Sequence, residues 1–159
     1  MSAPSPSSRA GLALVGFFLI TFSAPALSAF IGMPGPWYAA LQKPSWTPPS
    51  WLFGPAWTLL YTLMAIAAWL VWKRVGFGRP LKLYFVQVAL NAAWTPIFFG
   101  AHQLGWGLFE IVALWIAILM TLLTFRRVNP TAGWLFMPYL AWVTFATSLN
   151  FAIWRLNPA

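Results

Sequence analysis

Five stretches of this chain are long and apolar enough to cross a lipid bilayer, and no other feature constrains the fold as much. A spanning helix needs about 20 mainly apolar residues. Runs of that length lie at about Ala10–Ile31, Trp51–Trp72, Leu81–Gly100, Gly105–Phe125 and Thr131–Trp154, each bounded by polar, basic, Gly or Pro residues. Of 159 residues, nine are Lys or Arg and one is acidic, whereas about 25% of a soluble domain is charged. A water-facing shell cannot be built from such a sequence. The expectation is an all-α integral membrane protein, a single domain over residues 1–159 and a bundle of five transmembrane helices in a lipid bilayer.

The connections Lys73–Pro80, Ala101–Leu104 and Arg126–Pro130 are short, so successive helices should pack antiparallel as neighbours. The connection Gly32–Ser50 is long, holds five prolines and has too few apolar residues to span. It reads as a structured loop outside the bilayer core. Arg9, the apolar run after it and the small residues around Ala24–Ala29 also fit a secretory signal. The length of that run and the apolar stretch after Pro25 favour a retained span instead.

Arg9, Lys73, Arg74, Arg79, Lys82, Arg126 and Arg127 share one side of such a bundle, and only Lys43 and Arg155 lie on the other. Basic loops stay in the cytoplasm, which places the N-terminus there and the Pro/Trp-rich loop outside. The formal charge of +8 is then a mark of topology, and nucleic acid is not an expected partner. Five such helices suit a bacterial cell membrane, the preferred location, or an organelle membrane.

Little in the sequence can do acid–base chemistry. Cysteine is absent, which excludes disulfides, thiolate metal sites and a cysteine nucleophile. Glu110, the only acid, lies about five residues into the fourth span and is expected to point back to the headgroups rather than line a pocket. His102, in a tight loop, reads as an interfacial side chain rather than a haem ligand. A proton relay needs several buried acids and a hydrolase triad needs a His beside a nucleophile; neither set exists. No metal and no cofactor are expected.

Tryptophan is abundant, with twelve residues. Trp37, Trp46, Trp51, Trp72, Trp106, Trp134 and Trp154 lie near expected span ends, where indoles favour the headgroup level. Trp57, Trp94, Trp115 and Trp142 fall further inside, where an indole N–H wants an acceptor. Helical spacing groups Gly54, Trp57, Tyr61 and Ala65 on one face of the second span. It groups Gln87, Asn91, Trp94, Thr95 and Phe98 on the third, and Pro138, Trp142, Ala146 and Asn150 on the fifth. Such mixed stripes turn inward, because lipid offers amides no partner. They serve either as interhelical glue or as the lining of a cavity for a large, flat, mostly apolar ligand. Pro96 and Pro138 should kink their helices.

The loop reads WYAALQKPSWTPPSW from Trp37 to Trp51, followed by GPAW with Tyr61, NAAWTPIFFG from Asn91 to Gly100, and PYLAWVTFATSLN from Pro138 to Asn150. Four motifs in this order resemble the tryptophan-rich sensory protein/translocator protein family, also called the peripheral benzodiazepine receptor family (TspO/MBR). The resemblance runs from the first span nearly to the C-terminus. It implies a five-helix bundle, commonly a homodimer, with a ligand cavity roofed by the first loop. It further implies binding of porphyrins such as protoporphyrin IX and, in some members, of sterols or benzodiazepine-type ligands.

Carried over by position, the paired pocket tryptophans are Trp57 and Trp142. Trp106, Ala146, Leu149 and Asn150 match further pocket positions, and Trp37 and Trp46 would belong to the lid. With Tyr61 and Asn91 from the inward stripes, these ten form the expected ligand site. The cholesterol motif that animal members carry is altered: the run is LNFAIWR, with Phe151 where tyrosine is expected, which puts sterol binding in doubt. The leading expectation is a porphyrin-binding membrane receptor or sensor. The alternatives are an enzyme of light- and oxygen-dependent porphyrin breakdown, using Trp57 and Trp142, and a porphyrin or sterol transporter.

Overall fold

Each apolar run forms one helix, because in hydrocarbon every backbone N–H and C=O must be bonded within its own segment. The computed structural model describes residues 6–31 and 34–158. Helix α1 spans Pro6–Ile31, and the short α2, Pro36–Ala40, lies in the first loop. A 3₁₀ turn at Ser50–Leu52 leads into α3, Phe53–Val75. Then come α4 (Arg79–Thr95), α5 (Leu104–Val128) and α6 (Pro130–Leu156). All but α2 are long and apolar enough to cross a membrane. The chain is thus the expected five-span bundle, with span boundaries a few residues wider than the hydropathy reading.

The helix ends follow local chemistry. α3 stops at Gly76, whose φ of +63° suits glycine and whose N–H bonds the Trp72 carbonyl at 2.8 Å. Asn129 caps α6, its side chain accepting from the Thr131 N–H at 3.0 Å, and Pro130 opens the first turn, where its missing N–H costs nothing. Pro96 does not end its span. The helix continues as one π-helical turn, Pro96–Gly100, in keeping with a proline that cannot supply the usual i→i−4 bond.

Around the bundle α1 packs on α3, α3 on α6, α6 on α5, α5 on α4, and α4 back on α1. The short-loop expectation holds for α4–α5 and α5–α6 but not for α3–α4, which touch only lightly. A short turn ties two ends together without dictating contact along the helices, and α4 finds its partners in α5 and α1. Ties from α1 are specific: the Trp69 indole donates to the Ala10 carbonyl at 2.8 Å, and the Tyr84 and Thr21 hydroxyls are hydrogen-bonded. Thr21 already donates to the Phe17 carbonyl, so Tyr84 is the donor to Thr21. An aromatic core runs through Tyr84, Phe125, Phe136 and Tyr139, each ring 5.2–6.3 Å from the next. Leu12, Leu19, Phe109, Ile116 and Leu123 face outward, as a lipid-covered protein allows.

Glu110 differs from expectation. It is buried, and among the described residues neither carboxylate oxygen has a hydrogen-bond partner. It shares the inward face of α5 with Gly107, Ile111, Leu114 and Ile118, and burying that apolar stripe carries Glu110 inward with it. His102 stays in its loop, exposed, with its ring stacked on Trp37 at 4.1 Å.

Candidate ligand-binding site

Trp57 and Trp142 project from α3 and α6, and the contact between these helices brings their rings together edge to face, 6.4 Å between centroids. Trp57 also stacks on Tyr61 at 5.2 Å and meets Tyr139 edge-on at 6.1 Å. Trp142 packs on Phe53 and Phe145, both at 5.9 Å. Beside this cluster is an apolar groove of 370 Å³ between the two helices, lined by Ala56, Leu59, Leu60, Pro138, Ala141, Trp142 and Phe145. Trp46 of the loop packs edge-on against Phe145 at 5.7 Å, covering the end of the groove nearest the loop.

The interior tryptophans differ in how their N–H groups are placed. Trp94 donates to Asn150 Oδ1 at 3.2 Å and Trp115 to the Thr144 hydroxyl at 2.7 Å. Trp142 Nε1 is buried without a partner among the described residues. A buried donor left unbonded costs about 1–3 kcal/mol.

Asn91 and Asn150 are bonded within the bundle, whereas neither carboxamide atom of the buried Gln87 has a partner among the described residues. Tyr61 donates to Asn91 Oδ1 at 2.7 Å, and Asn91 Nδ2 donates to the Tyr139 hydroxyl at 3.1 Å. This chain links α3, α4 and α6. Asn150 Nδ2 donates to the Leu104 carbonyl at 3.1 Å, while its oxygen holds Trp94. Gly107 lets this junction pack closely, since a Cβ there would lie 3.1 Å from Phe98 and 3.4 Å from Asn150 Oδ1.

The ten expected site residues therefore fall into separate groups. Trp57, Tyr61, Asn91 and Trp142 form one cluster; Ala146, a turn beyond Trp142, is half-buried against the core beside it, and Trp46 reaches it through Phe145. Trp37, Leu149 and Asn150 belong to a second cluster around Phe98, nearer the loop end of the bundle. Trp106 joins neither: it is 65% exposed, with its ring against Phe109. Sequence reasoning did not select Phe53, Ala56, Leu60, Tyr139 or Phe145. Leu60, Tyr139 and Phe145 lie three residues from Trp57 or Trp142, a helical spacing that could have found them.

The first loop is held over this end by polar contacts. Gln42 and Asn157 bond twice, and Lys43 Nζ donates to the Ala39 and Leu41 carbonyls while lying 4.6 Å above the Tyr38 ring. Burial pushes the Tyr38 hydroxyl above the usual tyrosine range, so that ring stays neutral beneath the ammonium.

The TspO/MBR family profile matches residues 12–155, nearly the whole bundle. The chain belongs to the TspO/MBR family. It is 47% identical over 145 residues to the translocator protein of Homo sapiens, covering 84% of this chain and 86% of that one. It is 42% identical over 151 residues to protein CrtK of Rhodobacter capsulatus, covering 92% and 94%. With the tryptophan-rich sensory protein of Cereibacter sphaeroides it shares 43% over 140 residues, covering 88% and 89%. Family membership accounts for the motif order in the loop and in α3, α4 and α6, and bacterial relatives support a bacterial membrane.

Proposed function

We propose that this protein is a membrane receptor or sensor that binds a flat, mostly apolar tetrapyrrole such as protoporphyrin IX between α3 and α6. The observation that carries this reading is the edge-to-face Trp57–Trp142 pair beside an apolar groove of 370 Å³ that Trp142 itself lines. Ligand pockets range over about 300–1,000 Å³ with few polar groups among apolar walls. The groove lies at the low end of that range and is open along its side, where Leu59 and Ala141 are exposed, so a macrocycle enters laterally. One face then lies against Trp142 and Phe145, which line the groove. With Tyr61, Asn91 and Asn150 bonded within the bundle, those side chains hold the walls in place rather than touch the ligand.

Equilibrium titration of the Trp57→Phe/Trp142→Phe variant with protoporphyrin IX in the dark tests the reading. Affinity at least tenfold weaker is expected. Unchanged affinity in a variant of native helix content would remove the proposed site.

The protein is also proposed to work as a homodimer through α4, where Ala89 and Ala93 form a small-xxx-small pair and Ala89 is exposed. The N-terminus is proposed to be cytoplasmic, from the basic-residue asymmetry. The chain has no cysteine, so a single Ala89→Cys variant reports on dimerisation by disulfide cross-linking. A single cysteine at Ser8 reports on orientation by labelling in sealed vesicles.

A further inference from the structure

Besides Arg9 of α1, six basic side chains gather at one end of the bundle with no acid to neutralise them. Lys73 and Arg74 lie in the last turn of α3, Arg79 and Lys82 in the first turn of α4, and Arg126 and Arg127 in the last turn of α5. All six are exposed. The two turns meet, the Arg74 guanidinium donating to the Val128 carbonyl at 3.4 Å. Glu110 is the chain's only acidic side chain and is buried; it lies about 24 Å of helix rise from Arg126. The carboxyl ends of α3 and α5 meet the amino ends of α4 and α6 at these two turns, so their opposite half-charges cancel and offset none of the cations. At the opposite end the contrast is plain, because Lys43 is satisfied by two carbonyls and a tyrosine ring.

Aromatic rings fix the depth of these cations. Lys73 Nζ lies 3.8 Å from the Trp69 ring centroid, and the Arg126 guanidinium lies 5.6 Å from that of Trp134. Trp134 and Phe77 are 61% and 75% exposed at the same end. Indoles favour the headgroup level, and basic side chains lay their stems along apolar surface while keeping their charges in the polar layer. The charges thus come to lie where lipid phosphates are.

We propose that the α3–α4 and α5–α6 turns together form a binding site for anionic phospholipid headgroups. The phosphates meet the guanidinium and ammonium groups, and the exposed Phe77 and Trp134 rings contact the acyl-chain boundary. A soluble phosphate or a nucleic acid would meet the same charge, but neither offers those rings an apolar neighbour. The proposal is independent of the tetrapyrrole reading.

Native mass spectrometry of the intact protein, released from micelles holding equal phosphatidylglycerol and phosphatidylcholine, tests it. Near-surface basic residues each contribute enough that phosphatidylglycerol adducts should outnumber phosphatidylcholine adducts about tenfold. Arg79→Gln/Arg127→Gln should reduce that preference severalfold. The charge-preserving Arg79→Lys/Arg127→Lys and the opposite-end Lys43→Gln/Arg155→Gln should keep it. Equal adducts of both lipids, an unaltered preference in the Gln variant, or loss of preference in the Lys variant would overturn the proposal. Displacement of the lipid by inorganic phosphate would overturn it as well, by making the site one for a free anion.

Discussion

Asn157, one residue past the end of α6, grips the backbone of Gln42 at both its polar atoms. Its Oδ1 accepts from the Gln42 N–H and its Nδ2 donates to the Gln42 carbonyl, each at 2.9 Å. The same Nδ2 bonds the Ile153 carbonyl at 2.8 Å, which fixes the carboxamide to its own helix. With the Trp37–His102 stack at the other side, this pair ties the first loop down at two points. Trp46, carried by that loop, covers the end of the groove.

Asn157→Ala should loosen the loop without disturbing the bundle. Two partly exposed hydrogen bonds contribute about 1–2 kcal/mol in all, so amide exchange across residues 36–42 should accelerate about five- to thirtyfold. Hydrogen-exchange mass spectrometry reads this directly. Unaltered exchange would mean that the aromatic contacts alone hold the loop.

Asn91→Ala should cost global stability. It removes both bonds of the Tyr61–Asn91–Tyr139 chain and leaves two buried hydroxyls without those partners. Interhelical hydrogen bonds in membrane proteins average about 0.6 kcal/mol with a maximum near 1.7, so a loss of about 1–3 kcal/mol is expected. Thermal unfolding in detergent would reveal it, and a wild-type midpoint would assign the chain no stabilising role.

Gly133→Ala should be more harmful than Gly16→Ala. A Cβ on Gly133 would lie 2.6 Å from Arg126 Cβ and 2.8 Å from its Cα, whereas one on Gly16 meets nothing within 4 Å. Forcing backbone apart costs about 1–3 kcal/mol, and here it would open the tight α5–α6 turn. Equal melting temperatures for the two variants would contradict that packing.

Much of this was legible in the sequence, for identifiable reasons. Hydropathy located all five spans, because lipid requires long uninterrupted apolar helices. Four-residue spacing put Trp57, Tyr61, Asn91 and Trp142 on inward faces, where the structure has them. Spacing could not say how the amides are used: Asn91 and Asn150 bond across helices, a fact of which neighbour stands opposite. Nor could it rotate Glu110 correctly, since the apolar residues sharing its face, not its own charge, set the rotation of α5. Trp106 is a pocket position by resemblance only, and here it lies on the outer face of α5. The short α3–α4 turn does not bring those helices into extended contact, because loop length constrains two ends and not the packing between them.

The central claim is that a tetrapyrrole occupies the groove between α3 and α6, and a plugged groove tests it most directly. Ala141 lines the groove and is exposed, so Ala141→Trp fills it without entering the core. Tryptophan fluorescence would be followed in the dark as protoporphyrin IX is added to the wild type and to this variant. The account predicts saturable quenching at about one porphyrin per chain, as expected for a single pocket site, in the wild type and only weak, non-saturating quenching in the variant. Saturable quenching with the same affinity in both proteins would place the ligand elsewhere and contradict the account.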